Sequence, residues 1–315
     1  MPAKYGQIAR RKSEDNHQSG VGHAFQRGKS WQRLVGGFSA GTLSCGYRTI
    51  VQTELQCFLY QGGFVQSIRK GQSIGTRQSS HLTQIQRIRG GHFVDLDRLQ
   101  IRVVVSALFQ QNTFVAWRPG RRDCLLVDPG LEPDQITRLL DAEKLHPAAI
   151  LNTHGHSDHI GGNQAVKQRW PQCPIVIGEA EAGKLSDPAE NLSLLFGARL
   201  VSPPADKTVA DGERFSAAGF DLKVIAIPGH SAGHVVFLVE GQAPCVVFVG
   251  DVIFAGSIGR TDFPDGDFAQ LAAGIRQKLF PLPDDTILLP GHGPETTVGQ
   301  ERRTNPFVGE NAGGS

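Results

Sequence analysis

From about Arg98 onward the sequence predicts an α/β domain, and three observations predict it. Apolar runs of strand length alternate with amphipathic stretches at helical spacing over roughly 200 residues, the pattern of one mixed domain. Four of those runs, far apart in the chain, end in a His or an Asp. Composition also changes near residue 97, which sets the domain's start. Residues 1–97 hold 13 Lys+Arg against 5 Asp+Glu, or +8; residues 98–315 hold 19 against 25, or −6, and the two give the +2 of the whole chain.

RLQIRVVVSA (98–107) and NTFVAW (112–117) read as strands, and CLLV (124–127) as a third, closed by the turn Asp128-Pro129-Gly130. PDQITRLLDAEKL (133–145) spaces its apolar residues as a helix does, and AAILNT (148–153) is a buried strand. A helix through NQAVKQRW and a strand at PIVIG (174–178) follow, then an irregular stretch over 179–210 with short helical pieces. FDLKVIAI (220–227), VVFLVE (235–240) and CVVFVG (245–250) are strands. DFAQLAAGIRQKLF (267–280) is a helix, and DTILLP (285–290) is the last strand.

Residues 1–97 sustain neither a helical nor a strand period and hold 12 of the 23 glutamines. A basic tail, a small accessory domain and a start site placed too far upstream all fit. The last is the expectation adopted, with Val94 as the natural start and the segment otherwise poorly structured. Detection of residues 1–93 in the native protein by mass spectrometry would overturn it. No stretch approaches the ~20 apolar residues that span a bilayer, and the first twenty residues carry no apolar signal core. Five scattered cysteines without a CxxC fit a reducing compartment, so a cytoplasmic protein with no membrane or nucleic-acid partner is expected.

The chemistry sits at the strand ends. AAILNT leads into His154-Gly155-His156-Ser157-Asp158-His159, and KVIAIPG leads into His230 and, four residues on, His234. CVVFVG leads into Asp251, and TILLPG into His292. Sheets gather strand ends along one edge, where ligands of open α/β sheets bind. Imidazole nitrogens with carboxylate oxygens are the ligand set of Zn²⁺, and also of Fe and Mn. His154 and His156, two apart on one turn, can aim at one ion that His230 completes. Asp158 and His159, further round, point to a second ion that His292 completes, and Asp251 suits the position between them. Two ions ~3.5–4 Å apart can hold a hydroxide, lower its pKa and polarise the oxygen of the bond it attacks. A structural zinc site closes with four ligands, so seven candidates argue against a binding module with a structural metal. His234 reads as a group behind the ligands, and the isolated His146 is assigned nothing.

These residues resemble the metallo-β-lactamase superfamily, whose signature THGHSDH matches. The resemblance covers roughly residues 98–305 and implies an αββα sandwich. It also implies the same ligands: His154, His156 and His230 on one metal; Asp158, His159 and His292 on the other; Asp251 bridging. Asp128 in LLVDPG is similar to the family's buried aspartate that orients a histidine ligand. PGHSAGH, FVGDVIF, GSIGRTDFP and LPGHGPETT resemble the small bacterial glyoxalase II-like hydrolases, and ERRTNPF (301–307) their usual ending. Full-length glyoxalase II adds a helical domain that binds glutathione, whereas 23 residues follow His292 here. Substrate recognition is therefore expected from the core's own loops, with Arg260 and Asp262 as candidates.

The function expected is a thioesterase of glyoxalase II type, with two divalent cations, Zn first among them, and a bridging hydroxide. Its substrate would be a small-molecule thioester such as a glutathione conjugate. A thiolate, the anion of a thiol with a free pKa of ~8.5, departs without a dedicated acid, whereas an amine gains more from proton donation. One rival is a persulfide dioxygenase with a single iron, whose family shares a GRTDF stretch like residues 259–263. Residues 256–259 lack the cysteine of that pattern. The other rival is lactonase or phosphodiesterase chemistry on the same metals.

Overall fold

The computed structural model describes residues 99–312. Residues 1–97 and the expectations placed on them, with Cys45 and Cys57, lie outside the described residues.

One six-stranded sheet runs in chain order: β1 (Gln100–Val105), β2 (Asn112–Trp117), β3 (Asp123–Val127), β4 (His146–Asn152), β5 (Ile175–Gly178) and β6 (Lys207–Val209). Its first three strands are antiparallel, and β3 to β6 are parallel. The second sheet is built from β7 (Arg214–Ala217), β8 (Phe220–Ala226), β9 (Val235–Val239), β10 (Val246–Gly250), β13 (Ile287–Pro290) and β14 (Thr296–Thr297). β10 and β13 pair in parallel, and its other pairs are antiparallel. A two-stranded hairpin, β11 (Ile253–Phe254) with β12 (Ser257–Ile258), stands apart from both sheets. The helices are α1 (Pro133–Ala142), α2 (Ser157–Ile160), α3 (Asn163–Arg169), α4 (Phe268–Gly274) and α5 (Val298–Thr304).

Strand side chains alternate between faces, and here both faces are covered, which is why these strands read as unbroken apolar runs. On β3, Leu125 and Val127 point into a core shared with Phe220, Phe237 and Phe248 of the second sheet. Their neighbours Cys124 and Leu126 point outward under Ile136, Leu139 and Leu140 of α1. On β10 the same alternation sends Phe248 inward, and Val247 and Val249 outward beneath Leu271 and Ile275. Helix, sheet, sheet, helix is thus the layer order, the αββα sandwich that the resemblance implied.

Five strands of two to four residues (β6, β7, β11, β12, β14) are too short to show a period in the sequence. The helix expected over 267–280 is α-helical only to Gly274 and widens into a π turn at Ile275–Leu279.

Candidate metal centre

β8 and β10 are each antiparallel to β9, so they run the same way, as does β13. Their C-terminal ends, with those of β3 and β4, carry the chemical residues. Asn112 joins the two sheets there: its N–H donates to the Gly291 carbonyl at 2.7 Å and its amide to Pro290 and Gly293 at 2.9 and 2.8 Å. His154 and His156 lie on the turn after β4, Asp158 and His159 on α2, and His230 in the loop after β8. Asp251 follows β10 directly, and His292 lies two residues past β13. Gly250 has φ +48°, and a Cβ there would lie 2.3 Å from Thr153 Oγ1, so only glycine makes the bend that delivers Asp251.

Two groups of donors converge. Donor atoms of His154, His156 and His230 all lie within 4.8 Å of one another, and so do those of Asp158, His159 and His292. Asp251 lies between: its Oδ2 is 3.6 Å from His230 Nε2 and 3.5 Å from His292 Nε2, and its Oδ1 is 3.3 Å from His159 Nε2. Buried polar atoms normally find hydrogen-bond partners. Yet Nε2 of His154, His156 and His159 and Oδ1 of Asp251 are buried without one. Orphaned nitrogens and a carboxylate oxygen crowded together fit a cation, which these atoms have the chemistry to hold.

Groups behind the donors fix the rings. Asp128 accepts from the Thr153 N–H at 2.8 Å, from its hydroxyl at 2.7 Å and from His159 Nδ1 at 3.0 Å. His230 Nδ1 meets the Arg260 carbonyl at 2.8 Å, and His292 Nδ1 the Phe109 carbonyl at 3.0 Å. His234 Nε2 accepts the backbone N–H of Asp251 at 3.1 Å, and its ring stacks on His154. Arg260 therefore reaches the centre through its backbone. Its guanidinium forks onto Asp262 at 2.7 Å and lies over the Phe263 ring.

Electrostatics divide the histidines. Burial keeps His154, His156 and His234 well below the ordinary imidazole pKa, and His230 below it. Burial opposes a charge on His159 and His292 too, but the carboxylates of Asp158 and Asp251 outweigh it and hold both above the ordinary value. In return, despite burial, the rings of His292 and His159 keep Asp251 well below the carboxylate range, and Asp158 is lowered as well.

A second buried cluster had no signal in the sequence. Glu181, fully buried, accepts from the Gly155 N–H at 2.8 Å, the Gly233 N–H at 2.7 Å and the Ser231 hydroxyl at 2.6 Å. Lys184 lies 3.3 Å from it and also donates to Ser231 and Asp265, while Asp265 accepts the Ala232 N–H at 3.0 Å. One carboxylate thus clamps the turn of His154 and His156 to the loop of His230.

The metallo-beta-lactamase superfamily model matches residues 107–292, from the loop after β1 to the final histidine. This chain belongs to the metallo-β-lactamase superfamily. Among curated members it is 36% identical to hydroxyacylglutathione hydrolase GloC of Haemophilus influenzae, over 67% of this chain and 98% of that one. The crystal structure of the BLEG-1 B3 metallo-beta-lactamase shares 37% identity at a TM-score of 0.63, over 66% of this chain and 99% of its own. TTHA1623, solved in a di-iron-bound form, shares 35% at 0.58, over 65% and 99%. A superfamily hydrolase with a His/Asp cluster suited to metal is thereby identified. No helix among the described residues is long and apolar enough to cross a membrane.

Proposed function

We propose that the protein is a two-metal thioesterase of glyoxalase II type acting on a small-molecule thioester, a glutathione conjugate being the first candidate. The single observation that carries it is the placement of Asp251, within 3.6 Å of donors from both clusters. In this reading His154, His156 and His230 hold one cation, Asp158, His159 and His292 the other, and Asp251 both. Zn is the first choice, and Fe and Mn accept the same donors. Two divalent cations bound there supply an activated water and polarise an acyl oxygen.

The chain's residues do the rest. Asp128, His234 and the carbonyls of Arg260 and Phe109 fix the rings. The carboxylates of Asp158 and Asp251 are committed to the cations, so they leave the departing group no proton donor. A thiolate needs none, whereas an amine does, which favours a thioester over an amide or a β-lactam. Likeness to GloC supports the same choice. A cytoplasmic location and a catalytic unit contained in residues 98–315 complete the proposal.

The test is thiol release from S-lactoylglutathione by the full chain, before chelation, after it, and after metal is restored. Metal-dependent release supports the thioesterase. No release, with oxygen uptake on glutathione persulfide by iron-loaded protein, would replace it with the dioxygenase.

A further inference from the structure

We infer that the thioester taken by this site carries an apolar acyl arm, received on an apolar face centred on the paired rings of Phe109 and Phe196. The inference rests on the thioesterase reading and narrows its substrate class.

The face adjoins the centre through Phe109. The Phe109 carbonyl holds His292 Nδ1 at 3.0 Å, so its ring belongs to the residue that fixes a metal-facing histidine. That ring packs edge-on against Phe196, with centroids 5.1 Å apart. The Phe254 ring meets the His292 ring edge-on, with centroids 6.0 Å apart. The turn carrying Phe196 is tied to α2, since the Ser157 N–H donates to the Asn191 carbonyl at 2.9 Å, next to Asp158 and His159.

The face is also held outward at a cost. The 3₁₀ turn Ser193–Phe196 is flanked by two left-handed residues, Leu192 at φ +66° and Gly197 at +73°. A left-handed leucine is strained, and such strain clusters at ligand sites. The Asn191 side chain pins the bend through the Leu200 carbonyl at 2.9 Å and the Ser193 N–H at 3.0 Å. The result leaves Leu195 at 67% and Phe196 at 41% exposure, and Leu108, the chain neighbour of Phe109, at 48%. Large apolar side chains exposed together next to a reactive centre mark a binding face. Continuity with His292 points to the acyl end of the substrate as its occupant, and a lactoyl group, small and hydroxylated, would leave it bare.

The test compares glutathione thioesters of acetate, butyrate, hexanoate and lactate on the metal-loaded full chain, reading kcat/KM. Burial of each methylene is worth ~0.8 kcal/mol, so the expected rise is up to about fourfold per methylene, with lactoyl below butyryl. Phe196→Ala, a change on the exposed face, is expected to cut the hexanoyl-to-acetyl ratio about threefold or more. Equal rates across the series, or lactoyl above hexanoyl, would overturn the inference while leaving the thioesterase intact. So would a flat series together with a sedimentation change in Phe196→Ala, which would give the face to a second copy of the chain. If no thioester is hydrolysed, the function proposed above fails and this inference with it.

Discussion

Asp128 and His159, 31 residues apart in sequence, share a buried hydrogen bond of 3.0 Å that leaves His159 Nε2 facing the centre. Asp128 adopts a left-handed φ of +48°, and its carboxylate also accepts from the N–H and hydroxyl of Thr153. Asp128→Asn presents an amide that can donate where the ring must donate. Losing such an orienting partner typically lowers metal affinity or activity ~10–100-fold. Metal titration and kcat/KM should both move, and an unchanged affinity would mean the ring is held by other contacts.

Removing the cation of the second buried cluster should be a stability effect first. In Lys184→Met, Glu181 stays buried with its backbone donors but loses its ammonium. Breaking a buried pair by deleting one partner costs ~3–5 kcal/mol. Chemical denaturation of the chelated variant should show a loss of that order. A change within about 0.5 kcal/mol would mean that water or Ser231 replaces the ammonium.

Gly291 leaves no room for a side chain. A Cβ there would lie 2.3 Å from Asp251 Oδ1 and 2.6 Å from His159 Cε1. Overpacking of this kind costs ~1–3 kcal/mol, and here it would displace the carboxylate of Asp251 and the ring of His159, both assigned to the metals in the proposed function. Gly291→Ala should therefore lose bound metal and melt earlier. Full metal content at the parental melting temperature would contradict the packing described.

Metal uptake should release protons. Against the pull of burial, the carboxylates of Asp158 and Asp251 raise the pKa of His159 and His292, so chelated protein keeps protons on those rings near neutral pH. A cation must displace them, so its apparent affinity rises with pH and falls in acid. The sign for stability follows: a raised folded pKa stabilises the chelated protein below the unfolded value of ~6.5, and that contribution fades as pH rises through the folded one. Calorimetric titration in buffers of different ionisation enthalpy measures the protons released. A count of zero at pH 7 would contradict this charge state.

How far the sequence could be read follows from where each signal lay. His154, His230, Asp251 and His292 follow apolar strands, and a sheet edge brings such positions together whatever their separation, so their grouping was legible. Arg260 was singled out for its side chain, yet its carbonyl is what His230 meets, and no sequence pattern marks which carbonyl faces inward. Glu181 and Lys184 sit in a stretch without a period, and Lys184 finds its partners 47 and 81 residues away in Ser231 and Asp265. Their burial, fixed by tertiary packing alone, left nothing to read locally.

The most direct test of the central claim is a count of metal per chain against activity. Chelated full-length protein, titrated with Zn²⁺ or Fe²⁺, is assayed at each step for bound metal and for thiol release from a glutathione thioester. The proposed centre predicts two ions per chain, with hydrolysis appearing as the second site fills and lost in Asp251→Ala. Saturation at one ion per chain, with no thioester hydrolysed, would contradict it.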